Sequence, residues 1–383
     1  MERKKFIKII GLGGVAMFTP TVLTRCSTSL ASSRSAWQHG NTVKEYNDIR
    51  LKILSFAILA PNPHNTQSWV VDLSQENKIL LSINKEHLLP MTDPVHRQIY
   101  MGQGTFLELL SMTANEFGFL AKVNLFPLGV DSIKDVGNSP IAEVKLIKKN
   151  IPKDPLFKQI KNRITNRKNY DNRKATGREI KSLLSSFDHK KFPIKFVHET
   201  KKRLIFNRLF TEAMKIETYT GRTHKETVSM LRFDNDEVVK YRDGFSYENL
   251  GITGMSRFFA EMFAGRDQAF SQSFKEKTVD TTKGQVESTG TFGLLYSKGN
   301  SRKDQVEVGR AYVRINLMAT QIGLEIHPVS QILQEYSEMD NLKKELLKEV
   351  DLGFNRIQMI FRVGQASKTP HSPRRKLTSF IKR

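Results

Sequence analysis

Apolar residues at Ile49, Ile53, Leu54, Phe56, Ala57 and Ala60 recur at helical spacing, so the pattern predicts a helix over 43–60 that stops at Pro61. The period then changes: 69–73 and 79–83 read as strands. Asp93-Pro94 has the form of a helix start, with Asp93 as N-cap and Pro94 at the first helical position. That helix is predicted to run to about Phe117 and stop at Gly118. Residues 125–155 are charged and Pro-containing and predict one or two further strands, 142–147 among them, before a boundary. Further on, the pattern predicts a helix over 177–187, a strand over 194–198 and a helix over 201–220. Residues 222–288 keep neither period; Met255, Phe258, Phe259, Met262 and Phe263 stand there among glycines and charges, which predicts short helices forming an insertion or lid. A strand over 290–299, a helix over 303–322 stopped by Gly323, and a half-buried final strand over 356–364 complete the reading, the last with Ile357, Met359, Phe361 and Val363 on one face.

The two long helices overlay without a gap. Gly104, Ala114 and Gly118 of the first fall on Gly309, Ala319 and Gly323 of the second, each 205 positions further on. Three small residues at one offset suggest a duplicated unit, two α+β layers related by a pseudo-two-fold axis in the manner of an isologous dimer joined into one chain.

Composition adds three constraints. Hydrophobic residues make up 39% of the 383 positions, enough for proper cores. A formal charge of +22 favours anionic company: nucleic acid, an anionic membrane surface or a phosphorylated cofactor. A lysine-rich surface that merely stays solvated is the bland alternative. The lone cysteine, Cys26, excludes an intramolecular disulfide, and no Cys/His cluster has the spacing of zinc ligands.

Residues 1–40 read as an export signal and linker: a cationic start from Arg3 to Lys8, an apolar Gly-rich run from Ile9 to Met17, then Ser and small residues. The start resembles a twin-arginine motif with Lys4 in the second arginine position. Leu23-Thr24-Arg25-Cys26 is similar to a lipoprotein cleavage box, but Arg25 occupies the position of a small residue, so a free thiol on the leader is the alternative. The expected location is therefore the periplasm or a membrane anchor in the cell envelope, with the cytoplasm as alternative, and ordered structure is expected from about Val43.

The segment richest in chemistry is Ala60-Pro61-Asn62-Pro63-His64-Asn65-Thr66-Gln67-Ser68-Trp69, in which a helix ends in two prolines and polar amides lead into a strand. Such a turn can present backbone N–H groups and amide side chains to a planar heterocycle rich in acceptors. It resembles the flavin-contacting loop of the nitroreductase superfamily, most closely its Acg-type single-chain branch; Pro63, Asn65, Gln67 and Trp69 match, and Ser68 replaces a proline. Arg163-Ile164-Thr165-Asn166-Arg167 resembles the family's phosphate-wrapping segment, where two cations and a hydroxyl at alternate positions reach one anion. Gly364, after the last strand, and the basic pair Arg374-Arg375 resemble its closing segment, which returns to that phosphate.

The resemblance implies an α+β, nitroreductase-like fold duplicated in one chain, two antiparallel-rich sheets packed with helices. The first half would be 43–150 and the second 156–383, with the lid at about 222–288. It implies one FMN per chain, because the loop with Pro63, His64, Asn65 and Gln67 lies in the first half, Arg163, Thr165, Arg167, Arg374 and Arg375 lie in the second, and the mirror-image segments are missing from the sequence. Arg97 would lie near the ribityl chain or phosphate. His327, Pro328 and Ser330 would lie near the isoalloxazine edge, His327 alternatively being structural. The implied activity is two-electron reduction of nitroaromatic or quinone-like acceptors, with NAD(P)H or another donor, in a monomer with a pseudo-dimeric core. Membrane association through the N-terminus is a further expectation, and the rivals are an FMN-sequestering protein without turnover and a basic nucleic-acid or membrane-surface protein suggested by the charge of +22. No RNA-binding, zinc-finger or helix-turn-helix signal supports nucleic acid.

Overall fold

The computed structural model describes residues 30–38, 46–254, 257, 265–350, 353 and 356–382. The leader residues 1–29, Cys26 included, and Met255, Phe258, Phe259, Met262 and Phe263 lie outside them. Helix α1 (Ile49–Ala57) leads into strands β1 (Trp69–Asp72) and β2 (Lys78–Ile83), helix α2 (Arg97–Glu116), and strands β3 (Phe119–Leu125) and β4 (Ala142–Lys148). These strands form an antiparallel sheet in the order β1-β2-β4-β3. The second half starts with α3 (Gly177–Ser185), β5 (Ile194–Val197), α4 (Thr200–Tyr219) and α5 (Gly221–Ser229). It continues through β6 (Leu231–Arg232), α6 (Asn235–Tyr241), β7 (Phe245–Ser246) and α7 (Gln272–Glu287). It ends with β8 (Thr291–Ser297), α8 (Arg302–Gln321), β9 (Glu325–Pro328), α9 (Asp340–Glu349) and β10 (Arg356–Gly364). Its sheet is antiparallel in the order β5-β8-β10-β9.

The two orders correspond strand for strand, and in each half one long helix, α2 or α8, joins the second strand to the third. The halves differ in what lies between their first two strands: a short turn in the first, everything from α4 to α7 in the second. Helices α2 and α8 cross with the glycine of each against the backbone of the other. A methyl group on Gly104 would lie 2.8 Å from the carbonyl carbon of Val306, and one on Gly309 would lie 2.8 Å from that of Met101. Met101 and Val306 are themselves related by the 205-residue offset, so the contact is reciprocal, as an isologous interface requires.

Each half has its own core. Leu54, Trp69, Leu81, Phe106 and Val144 pack with Val306, Val313 and Leu317 of α8. One face of the second sheet meets α8 through Leu295, Phe361 and Tyr312, and the other meets α4 and α7 through Phe292, Ile360, Phe206 and Val286. Tertiary packing thereby corrects two expectations. The insertion is more than a lid of short helices, since α7 runs for 16 residues and helps cover a sheet face. Strand β10 is buried on both faces from Gln358 onward rather than half-buried.

Helix α2 also begins later than expected. His96 takes a left-handed conformation (φ 58°), which delays the helix to Arg97 and leaves Pro94 outside it. The Asp93 carboxylate still caps, accepting from Gln98 N at 3.1 Å and Ile99 N at 3.0 Å. The edge strands β3 and β9 were not expected; β9 ends in Pro328, which an edge tolerates because its missing N–H is not needed there. The C-terminal tail crosses back to the first half, where Lys382 N donates to Val71 O at 2.8 Å and Phe380 packs 5.9 Å from Trp69. Among the described residues no helix is long and apolar enough to cross a membrane.

Candidate functional site

The loop after α1 is strained and held. His64, Asn65 and Gln67 have φ values of 47°, 55° and 53°, a left-handed conformation that costs a non-glycine residue on the order of 1 kcal/mol and persists only where the surroundings enforce it. Asn62 Oδ1 accepts from Gln67 N at 2.8 Å, and Thr105 Oγ1 of α2 donates to Pro61 O at 2.6 Å. Gln67, expected to face a flavin, is instead wholly buried. Its Nε2 donates to Arg242 O at 2.8 Å and its Oε1 accepts from Arg375 N at 2.9 Å, so it ties the loop to the insertion and the tail. Arg375 likewise donates to Thr66 O at 3.1 Å and to Gln67 O, and lines neither of the two cavities beside the loop.

Two adjoining cavities open beside this loop. The larger, about 350 Å³, is walled by Pro61 to His64, by Met101 and Gly102 of α2, by Tyr312 of α8, and by His327, Pro328 and Ser330 at the end of β9. Its far side is the insertion, which contributes Glu217, Leu231, Phe245, Leu250 and Phe274 among others. The smaller, about 30 Å³, is lined by Asn65, Arg163, Thr165, Arg167, Arg374 and Trp37, and shares Pro61, Asn62, Thr165, Arg167 and Phe245 with the larger. A water needs roughly 10–15 Å³ by this measure, so the small pocket has room for two or three waters, the size of a phosphate group.

The small pocket is strongly cationic. Arg163 and Arg374 are buried, and among the described residues neither they nor Arg167 make an ion pair with a carboxylate. Arg163 donates to Leu59 O at 3.1 Å, while its Nε is buried without a partner. Arg374 donates to Ile58 O at 2.9 Å, Ala60 O at 3.1 Å and Asn65 Oδ1 at 2.5 Å, closing the end of α1. Arg167 donates to Asn249 O at 3.2 Å and lies over the Phe245 ring. Burial pushes Arg163 and Arg167 down to about 10, and Arg374 well below its usual range. Among the described residues Glu325 is the one carboxylate acting on Arg163, and burial raises it to about 7. It cannot balance three guanidiniums. Burying unpaired charge costs several kcal/mol per ion, and an anion seated here would repay that cost.

Arg163, Thr165 and Arg167 all line the small pocket, but so does Ile164 between them, so the segment does not strictly alternate; Asn166 donates to Ser367 O at 3.0 Å. Arg97 does not reach either cavity. It pairs with Glu335 at 3.2 Å and donates to Gln358 O and Leu333 O, bracing α2 against the second half, which corrects its expected place near the ribityl chain or phosphate.

His327 is held by the fold and also lines the large cavity. Arg362, buried and able only to donate, gives a hydrogen bond to His327 Nδ1 from Nε at 3.1 Å. The imidazole proton is therefore on Nε2, and burial followed by Arg362 and Arg167 pushes the group well below its usual range. A neutral ring with a fixed N–H donor thus lines the large cavity. Ser330 instead serves its own loop, donating to Ile360 O and accepting from Ile360 N, both at 3.0 Å.

Sequence reasoning missed Trp37, Tyr312, Phe245 and Glu217. Trp37 lay in the stretch assigned to the linker, although a tryptophan among Ser and small residues was itself a signal of packing. Tyr312 sits on a helix whose periodicity identifies core residues but not which of them meet a cavity.

No protein-family model matches the chain, and no curated protein does. Solved structures similar in fold include an FMN-bound nitroreductase from Bacteroides fragilis, at 11% identity over 56% of this chain and 89% of that one, with a TM-score of 0.32. The FMN-dependent nitroreductase NfnB from Mycobacterium smegmatis, solved with NADPH, is 14% identical over 58% of this chain and 94% of that one, with a TM-score of 0.38. A nitroreductase-like family protein from Bacillus cereus is 11% identical over 61% and 97%, with a TM-score of 0.34. At these values the likeness carries no functional conclusion, which rests on the residues of the site.

The site also dictates an acid sensitivity. Burial and then Arg167 lower His64 to about 4, and burial followed by Arg163 and Arg374 lowers His371 to about 4. Between pH 6.5 and 4 the unfolded chain therefore binds more protons at these two groups than the folded one, so stability is complete above that window and falls as pH drops through it. Each group is expected to remove on the order of 3 kcal/mol. Urea unfolding at pH 7 and pH 4.5 checks this, and His64→Gln should lessen the pH dependence.

Proposed function

We propose that this chain binds one FMN, its phosphate in the small pocket and its ring in the larger cavity, and acts as a nitroreductase-type oxidoreductase on nitroaromatic or quinone-like acceptors. The observation that carries the reading is the convergence of Arg163, Arg167 and Arg374, without carboxylate partners among the described residues, on a phosphate-sized pocket continuous with a largely apolar cavity. Those three arginines with Thr165 and Asn65 would hold the phosphate. The Pro61–His64 loop and Tyr312 would wall the ring, and His327 would donate its Nε2–H to an acceptor at the ring edge. Bound there, FMN supplies hydride transfer between a reduced nicotinamide or other donor and the acceptor. The insertion residues Phe245, Leu250 and Phe274 would give that space an apolar wall. Both halves of the pseudo-dimer lie in one chain, so the proposal is for a monomer, exported through its leader.

The same insertion favours a second reading, sequestration of FMN without turnover, because it walls the far side of the cavity that would hold the ring. Anaerobic addition of NADPH to the FMN-loaded protein separates the two. The reductase reading expects the flavin absorbance to bleach within minutes. Absorbance that persists with NADPH yet bleaches with dithionite supports sequestration, and a protein that neither carries nor takes up FMN refutes both.

A further inference from the structure

Residues 30–38, expected to belong to the linker, are docked on the core directly against the phosphate pocket. Arg374 N donates to Ser33 O at 3.0 Å, Arg34 Nε donates to His371 O at 2.7 Å, and Arg34 also pairs with Glu248 of the insertion. Trp37 is the strap's anchor. Its Nε1 donates to Ser372 O at 2.9 Å, its ring stacks on His371 at 4.1 Å and 18°, and the guanidiniums of Arg163 and Arg374 lie 5.9 and 5.1 Å from its centre. Trp37 is buried, and with Pro370 and Ser372 it lines the small pocket. None of these three lines the large cavity, so they stand on the side away from it.

We propose that this strap makes the pocket a dead end, so that Trp37 selects a flavin ending in a phosphomonoester and rejects the dinucleotide FAD. The inference rests on the flavin reading above. A terminal phosphate entering from the large cavity has its charge met by Arg163, Arg167 and Arg374, and nothing need extend beyond it. A diphosphate would have to carry its second phosphate, ribose and adenine through the indole ring and the carbonyl that holds it. The pocket has only phosphate-sized room, and its wall is pinned from behind by the His371 stack, so yielding would require lifting the strap from three attachments: Ser33, Arg34 and Trp37.

The test is a fluorescence-quenching titration of the full-length, flavin-stripped protein with riboflavin, FMN and FAD, in wild type, Trp37→Ala and Arg34→Ala. Wild type is expected to prefer FMN over FAD by at least about a hundredfold, and Trp37→Ala to narrow that ratio about tenfold or more by gaining FAD affinity, with riboflavin binding unchanged. Arg34→Ala, which loosens the strap but keeps the indole, should shift the ratio in the same direction by less, and decides the matter if Trp37→Ala does not fold. An FMN-to-FAD ratio unchanged in both variants, or a wild type that takes FAD as tightly as FMN, overturns the inference and leaves the flavin reading standing. A wild type that binds none of the three flavins removes both.

Discussion

Gly104→Ala is expected to destabilise the protein by about 4 kcal/mol, more than most single substitutions. The added methyl would fall onto the backbone carbonyl of Val306, 2.8 Å from its carbon and 3.1 Å from Arg310 N. These are backbone atoms of a helix buried between the two halves, so no side chain can rotate away; α2 and α8 would have to separate, opening voids along Leu107, Val308, Tyr312 and Val313. Gly309→Ala should cost about as much for the mirror-image reason, its methyl meeting Met101. Gly177→Ala, at a helix start with nothing within 4 Å, is the control and should be neutral. Urea unfolding reads the difference as a lowered midpoint at unchanged slope. Equal midpoints for Gly104→Ala and Gly177→Ala would mean that the two helices do not cross as described.

The second large effect separates ligand binding from folding. Arg163→Met is expected to weaken FMN binding by about 3 kcal/mol, on the order of a hundredfold in Kd, because a phosphate loses a buried, charge-assisted partner. Riboflavin, which has no phosphate, should bind as before. The ligand-free protein should be as stable as wild type or more so. Its Arg163 is a buried cation with an unpartnered Nε, one backbone carbonyl acceptor and a long contact to Thr165 Oγ1 at 3.5 Å, and replacing such a group by an apolar one of similar length relieves desolvation at the loss of those two hydrogen bonds. Isothermal titration and urea unfolding of the flavin-free variant provide the two readings. A large loss of stability with FMN affinity intact would show Arg163 to be a structural strut. Both outcomes are informative about Arg374 as well. Its acceptors Ile58 O, Leu59 O and Ala60 O make it part of the end of α1, so its removal would confound folding with binding.

Much of this site was legible because its chemistry is local. Arg163, Thr165 and Arg167 lie within one short stretch of chain and so reach one pocket together, and the proline-amide run after α1 can only be a turn. The helix start at Asp93 was legible in kind but not in place. The carboxylate caps as short-range rules require, while the left-handed His96, a conformation no residue pattern announces, moved the helix three positions on. Gln67, Arg97 and Arg375 were misplaced for another reason. A polar side chain on a buried loop bonds to whichever backbone group the fold brings near. For these residues the partners come from the insertion, the turn after β9 and the tail, far away in sequence.

The sequence by itself determined the period of nearly every element, the paired glycines 205 positions apart, and the basic segment that fills the small pocket, since these depend on spacing along one stretch of chain. Only the tertiary structure decided the rest. It decided that each of the paired glycines meets the backbone of the other helix where α2 and α8 cross, that the insertion covers one face of the second sheet as well as the cavity, and that Trp37 lines the small cationic pocket. Each of these joins residues whose attraction is non-directional burial or a hydrogen bond to a distant backbone carbonyl. Such contacts leave no period in the sequence, because their geometry exists only once both sheets are assembled around the crossing helices.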